Sequence, residues 1–136
     1  MRFMILVKAN KDTEAGTMPS EDIFKAMADY HEELAKAGVL LDANGLQPSS
    51  KGWRIKYSGG RRTVIDGPFT EAKELVAGYT IIQAKSREEA VEWSKRFPNP
   101  HNEDSAIEVR QMFELEDFGD IEGVDRFRKL GVGTEA

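Results

Sequence analysis

Short apolar blocks alternate along the chain with segments whose apolar residues recur every three or four positions. The alternation predicts strands and helices in turn. Arg2–Lys8 (RFMILVK) is an apolar block flanked by charges, the pattern of a strand buried on both faces. Asn10–Ser20 is rich in turn-forming residues and reads as a loop. Ser20 is placed to cap a helix, with Glu21 and Asp22 at its positive end. Phe24, Met27, His31, Leu34 and Ala35 then form one amphipathic stripe, and Gly38 ends it. Val39-Leu40-Leu41 starts a second strand. Trp53, Ile55 and Tyr57 alternate with Arg54 and Lys56, and Gly59-Gly60 leads into Arg62–Ile65, which predicts a tight hairpin. Leu75–Gln83 is a further apolar strand, and Ser86-Arg87-Glu88-Glu89 is a capping box. Ala90, Trp93, Ser94 and Phe97 give the second helix its inward face before Pro98 and Pro100 stop it. Ala106–Phe113 alternates as a last strand, with Ile107 and Val109 opposite Glu108 and Arg110.

The order is strand–helix–strand, a hairpin insertion, then strand–helix–strand. Two split βαβ units on one antiparallel sheet predict an α+β, ferredoxin-like domain. Helices cover only one face of such a sheet. Because several strands are apolar on both faces, the second face is expected to be covered by another copy, giving a homodimer with its sheets face to face. The domain is expected over residues 1–118, with a C-terminal extension over 119–136. In the tail, Phe118, Ile121, Val124, Phe127 and Leu130 recur at steps of three between Glu116 and Leu130, with Gly119 and Gly123 each weakening a helix by about 1 kcal/mol, which predicts an ordered helix or extension that packs on a neighbouring surface, against a floppy tail.

Composition narrows the class. In 136 residues, 40% are apolar and 32% charged, as in soluble globular proteins, and one core of this size needs no staples. The chain has no cysteine, which excludes disulfides, thiolate metal sites and a cysteine nucleophile. A net charge of −5 speaks against a general nucleic-acid binder. No apolar run approaches the roughly 20 residues of a membrane helix, and no cleavage site follows the first apolar block, so the cytoplasm is the expected address.

The candidate chemistry centres on Asp66-Gly67-Pro68-Phe69-Thr70-Glu71-Ala72-Lys73-Glu74. Gly67 and Pro68 form a rigid turn presenting Asp66 at a strand end, with Lys73 and Glu74 close behind. A carboxylate beside a cation can orient a polar ligand or move a proton. His31 is the titratable residue on the apolar stripe, and a His31–Asp66 pair is the candidate acid–base dyad, set against a histidine satisfied within the core. Glu108 and Arg110 share a strand face; Arg110 can grip a carboxylate, or the two can form an ion pair at an interface. The expected pocket lies between sheet and helix, lined by His31, Asp66, Lys73 and Arg110, with Gly67, Pro68, Phe69, Glu74 and Glu108 as further ligand contacts. His101 lies in a polar loop and is expected to be solvated. No metal-ligand spacing or phosphate loop occurs, and no cofactor is expected. Lys51, Arg54, Lys56, Arg61 and Arg62 crowd the hairpin beside Trp53 and Tyr57; on an acidic chain this reads as a charged edge, not a nucleic-acid platform.

The stretch Asp66–Glu74 (DGPFTEAKE) resembles the signature of the DGPF-motif proteins in the YCII-related family, and Leu46–Lys51, Glu88–Pro98 and Ile107–Phe113 are similar to that family's other segments. The resemblance spans about Met1 to Phe118. It implies a dimeric α/β barrel of ferredoxin-like subunits. It also implies a choice between two functions. One is a small-molecule binder with isomerase- or lyase-like acid–base chemistry through a histidine–aspartate dyad. The other is a non-catalytic regulatory module linked to sigma-factor-type transcription control. Turnover is left open, because the family's dyad positions fall on Met27 and Phe97, both apolar here. His31, one helical turn past Met27, is the expected substitute.

Overall fold

The computed structural model describes residues 1–135; Ala136, the last residue of the expected extension, lies outside them. The predicted strands are present as β1 (Arg2–Lys8), β2 (Leu40–Gly45), β3 (Trp53–Ser58), β4 (Arg61–Asp66), β5 (Val76–Gln83) and β6 (Ile107–Gln111). Four of them form an antiparallel sheet in the order β2-β5-β1-β6, and β3 and β4 form a separate two-stranded ribbon. The helices are α1 (Lys11–Glu14), α2 (Glu21–Lys36), α3 (Arg87–Lys95) and α4 (Val124–Leu130). With α2 between β1 and β2, and α3 between β5 and β6, the molecule is an α+β domain of two interleaved βαβ units.

The expected caps hold both long helices. Ser20 Oγ accepts from the Ile23 amide at 3.3 Å. At the far end of α2, Gly38 takes φ +75° and the Val39 amide bonds the Leu34 carbonyl, closing the helix with the left-handed turn that favours glycine. Ser86 Oγ accepts from the Glu89 amide, but the Glu89 carboxylate answers the Lys85 amide and not that of Ser86, so the box is shifted by one residue.

The core lies between the sheet and α2 and α3. Phe3 and Ile5 on β1, Ile82 on β5, Tyr30 and Leu34 on α2, Ala90 on α3 and Phe97 just beyond it are buried together. The stripe on α2 is rotated from the expectation: Tyr30 is buried, whereas Phe24 is 67% exposed and Ala35 is exposed. The opposite sheet face presents Met4, Leu6, Tyr79 and Ile81, all partly exposed. This follows from the pleat, since residues alternating with Phe3, Ile5, Thr80 and Ile82 must point the other way.

Two segments depart from the sequence reading. Part of the expected loop at 10–20 is the single turn α1, closed by a capping box between Asn10 and Thr13. The expected tail helix is interrupted. Leu115–Phe118 is a 3-10 turn, and Gly119 and Gly123 at φ +76° and +101° break the path before α4. Repeated three-residue spacing cannot carry a helix through two left-handed glycines.

Candidate functional site

The Asp66–Phe69 turn is built as a corner that locks distant loops together. Glu14, at the end of α1, accepts from the Ser49 amide at 2.9 Å and from the Ser49 hydroxyl. That hydroxyl oxygen in turn accepts from the Phe69 amide at 2.9 Å. Gly67 donates to the Gly52 carbonyl at 3.0 Å. The Gly67–Pro68 peptide bond is cis. The Arg54 guanidinium stacks 3.7 Å from the centre of the Phe69 ring. Asp66 is exposed at the end of β4, and among the described residues its carboxylate makes no hydrogen bond or ion pair. Pro68, Lys73 and Glu74 are exposed; the last two sit in a 3-10 turn over Ala72–Glu74 that leads into β5.

His31 is half-buried between α2 and the sheet. Its Nδ1 lies 2.7 Å from the Met27 carbonyl, which can only accept, so Nδ1 carries a proton. Nε2 then faces the Thr80 hydroxyl at 2.8 Å. Thr80 is 2% exposed, the one buried polar residue among those described, and the imidazole satisfies it. Phe97 closes the other side, with ring centroids 6.0 Å apart. Both ring nitrogens are thus engaged within the domain, and neither meets Asp66. Met27 packs partly buried against the core and Phe97 is buried in it, so the two positions of the expected family dyad are apolar filling around His31.

Glu108 and Arg110 lie on the opposite face. In register, Glu108 stands beside Leu6 and Arg110 beside Met4, both on the uncovered side, while Val109 packs on the core. Arg110 Nη1 donates to Glu108 Oε2 at 3.2 Å, and Lys8 Nζ lies 3.7 Å from Glu108 Oε1. The hydrogen bond from Arg110, helped by the charge of Lys8, holds the Glu108 carboxyl below its usual range. The structure therefore does not gather His31, Asp66, Lys73 and Arg110 into one pocket. Thr80 and His31 are on the helix side of the sheet and Arg110 is on the other. Two open grooves of about 360 and 470 Å³ are lined by neither His31 nor Asp66 nor Arg110; one surrounds Tyr57–Arg62 and the other Met1, Val39 and Lys85.

His101 differs from its expected solvated state. Its Nε2 donates to the Lys8 carbonyl at 2.9 Å, leaving Nδ1 to accept from the Asn10 side-chain Nδ2 at 3.1 Å. It pins the exit of β1 to the cap of α1. Neither this link nor the Glu14–Ser49 pair was visible in local patterns, because each joins residues more than 30 positions apart. Among the described residues no cluster of three or more histidines and carboxylates is gathered to hold a metal ion. No helix among them is long and apolar enough to cross a membrane.

With this geometry in hand, comparison with known families is decisive for kinship: the model of the YCII-related domain matches residues 1–116. The chain belongs to the YCII-related family. The match takes in the whole four-stranded sheet, the ribbon and α1–α3 of this YCII-related chain and stops ahead of α4. An uncharacterized protein of Rhizobium meliloti (strain 1021) is 25% identical over 114 residues, covering 82% of this chain and 92% of that protein. Among solved structures, a 5-chloro-2-hydroxyhydroquinone dehydrochlorinase from Burkholderia phenoliruptrix AC1100, in complex with 2,5-dihydroxybenzoquinone, is similar at a TM-score of 0.43 and 16% identity. That match covers 84% of this chain and 95% of the other.

Proposed function

We propose that this YCII-related protein binds a small carboxylate on the uncovered face of its sheet, where two ferredoxin-like subunits meet as a dimeric α/β barrel. The observation that carries the reading is the sharing of one carboxylate, Glu108, by two cations, Lys8 and Arg110. This leaves surplus positive charge beside the apolar side chains of Met4 and Leu6. Arg110 commits one Nη1 donor to Glu108, and its side chain remains 72% exposed, with the rest of its fork free for a planar acid. Such a face suits a ligand with an apolar body and an anionic end, and a second copy supplies the enclosure that a flat sheet lacks. The Asp66–Phe69 corner serves this site indirectly. Through Leu75, which accepts from the Ala9 amide, it fixes the end of the sheet from which Lys8 projects.

Binding, not proton transfer, is the activity this arrangement supports, since His31 lies across the sheet from Arg110. Thermal denaturation with benzoate, phenylacetate and succinate tests it. Millimolar aromatic carboxylate is expected to raise Tm by several degrees, since a ligand bound only to the native state must stabilise it. Arg110→Gln is expected to abolish that rise while leaving the unliganded Tm within about 2 °C, as for other exposed substitutions. An unchanged Tm with all three acids, or an equal rise in the variant, removes the reading.

A further inference from the structure

The β3–β4 ribbon stands apart from the main sheet. All twelve of its strand residues are exposed, among them Trp53 at 64%, Tyr57 at 70% and Val64 at 62%. An isolated two-stranded hairpin is marginally stable in water, and exposed aromatic and branched side chains on one make it a surface awaiting cover. Register sorts its two faces. Trp53, Ile55, Tyr57, Arg62, Val64 and Asp66 share one, and Arg54, Lys56, Ser58, Arg61, Thr63 and Ile65 lie on the other.

Charge selects the occupant. Residues 51–66 carry five cations, Lys51, Arg54, Lys56, Arg61 and Arg62, against Asp66 alone. The rest of the chain then holds the remaining 14 basic and 23 acidic residues of the 19 and 24 in total. A basic arm on an acidic body is complementary to another copy of itself, and in a two-fold pair the contact is made twice. A nucleic acid drawn to the arm would meet repulsion from the body. Six residues per strand give the arm a reach of about 20 Å, enough to lie across a neighbouring subunit.

We infer that the β3–β4 ribbon is an intersubunit arm whose Trp53, Ile55, Tyr57 and Val64 face packs on the acidic body of a second copy. This rests on the two-copy arrangement proposed above, and the test separates the two. Trp93→Phe leaves Trp53 as the one tryptophan. Acrylamide quenching of Trp53 is measured at 50 µM and at 0.1 µM, alongside sedimentation velocity. The expected result is a dimer at the higher concentration with Trp53 quenched at least twofold less than after dilution to monomer. A dimer whose Trp53 is quenched as freely as the monomer's overturns the arm and leaves the dimer standing. A monomer at 50 µM overturns both. Arg62→Glu, on the packing face, in the otherwise unaltered protein, with its fold checked by circular dichroism, is a second route that does not depend on Trp93. It is expected to weaken dimerisation at least tenfold, and unchanged dimerisation overturns the arm. So does tight binding of a 20-nucleotide thymidine oligomer at 150 mM salt that this variant loses.

Discussion

A methyl group at Gly67 would sit 1.9 Å from the Ser49 carbonyl oxygen and 2.7 Å from its carbon. Backbone cannot move aside there without undoing the bonds of Ser49 to Glu14 and Phe69, so glycine is required by proximity and not by a left-handed φ. Gly67→Ala is expected to lower stability by about 2–3 kcal/mol, the range of an overpacked site, measured by urea denaturation. A change under about 0.5 kcal/mol would mean that the two loops are not locked. Tyr30 makes a second residue-scale case. Burial pushes its phenol up to about 12, against the nearby Arg96 charge, and its hydroxyl donates to the Trp93 carbonyl at 2.6 Å. Since the folded value exceeds the unfolded one near 10, its contribution is complete below pH 10 and is lost as pH rises toward 12. Absorbance at 295 nm should show one tyrosine of the three titrating near pH 12, with stability falling over the same interval; three tyrosines titrating together near 10 would contradict the burial. The sequence marked His31 as the side chain to watch but pointed to Asp66 as its partner, where the structure places Thr80. That Thr80 faces it depends on the pleat of β5 and the rotation of α2, neither of which local spacing determines.

At the scale of elements, the strands and the two long helices were legible because period and punctuation agreed. Ser20, Gly38 and Ser86 fall where caps are needed, and Gly59-Gly60 takes the positive φ values of a two-residue turn. The tail is less regular than its three-residue spacing suggests, because Gly119 and Gly123 do more than weaken a helix: their positive φ values end it. What holds the tail is contact. Leu115 is 4% exposed and packed by Gly133, while the Glu135 amide donates to Glu114, itself paired with Arg2 on β1. Removing residues 119–136 is therefore expected to leave a folded domain with one cooperative transition and a Tm lower by roughly 3–5 °C, for about 1 kcal/mol of lost packing. Loss of cooperative unfolding would make the tail part of the domain proper.

Over the whole molecule, the predicted pocket failed to assemble for a reason that residue types alone do not expose. Asp66, His31 and Arg110 were each placed sensibly on their elements. Which side of the sheet His31 and Arg110 reach depends on Val109 and Thr80 turning toward the helices, and Asp66 stands on the separate ribbon. The corner around Gly67 was legible as a rigid turn but not as a junction, because Glu14 and Ser49 carry no local sign of meeting. The uncovered sheet face was foreseeable from strands apolar on both sides, and Met4, Leu6, Tyr79 and Ile81 now occupy it.

The sheet also acts as a partition. Adjacent residues along β6 point to opposite sides of it: Val109 toward the helices and the core, Glu108 and Arg110 toward the uncovered face. Substitutions at Glu108 or Arg110 are therefore made across the sheet from the bond between the His31 imidazole and the Thr80 hydroxyl. In this architecture the chemistry of one face can change while the packing behind it stays as it is.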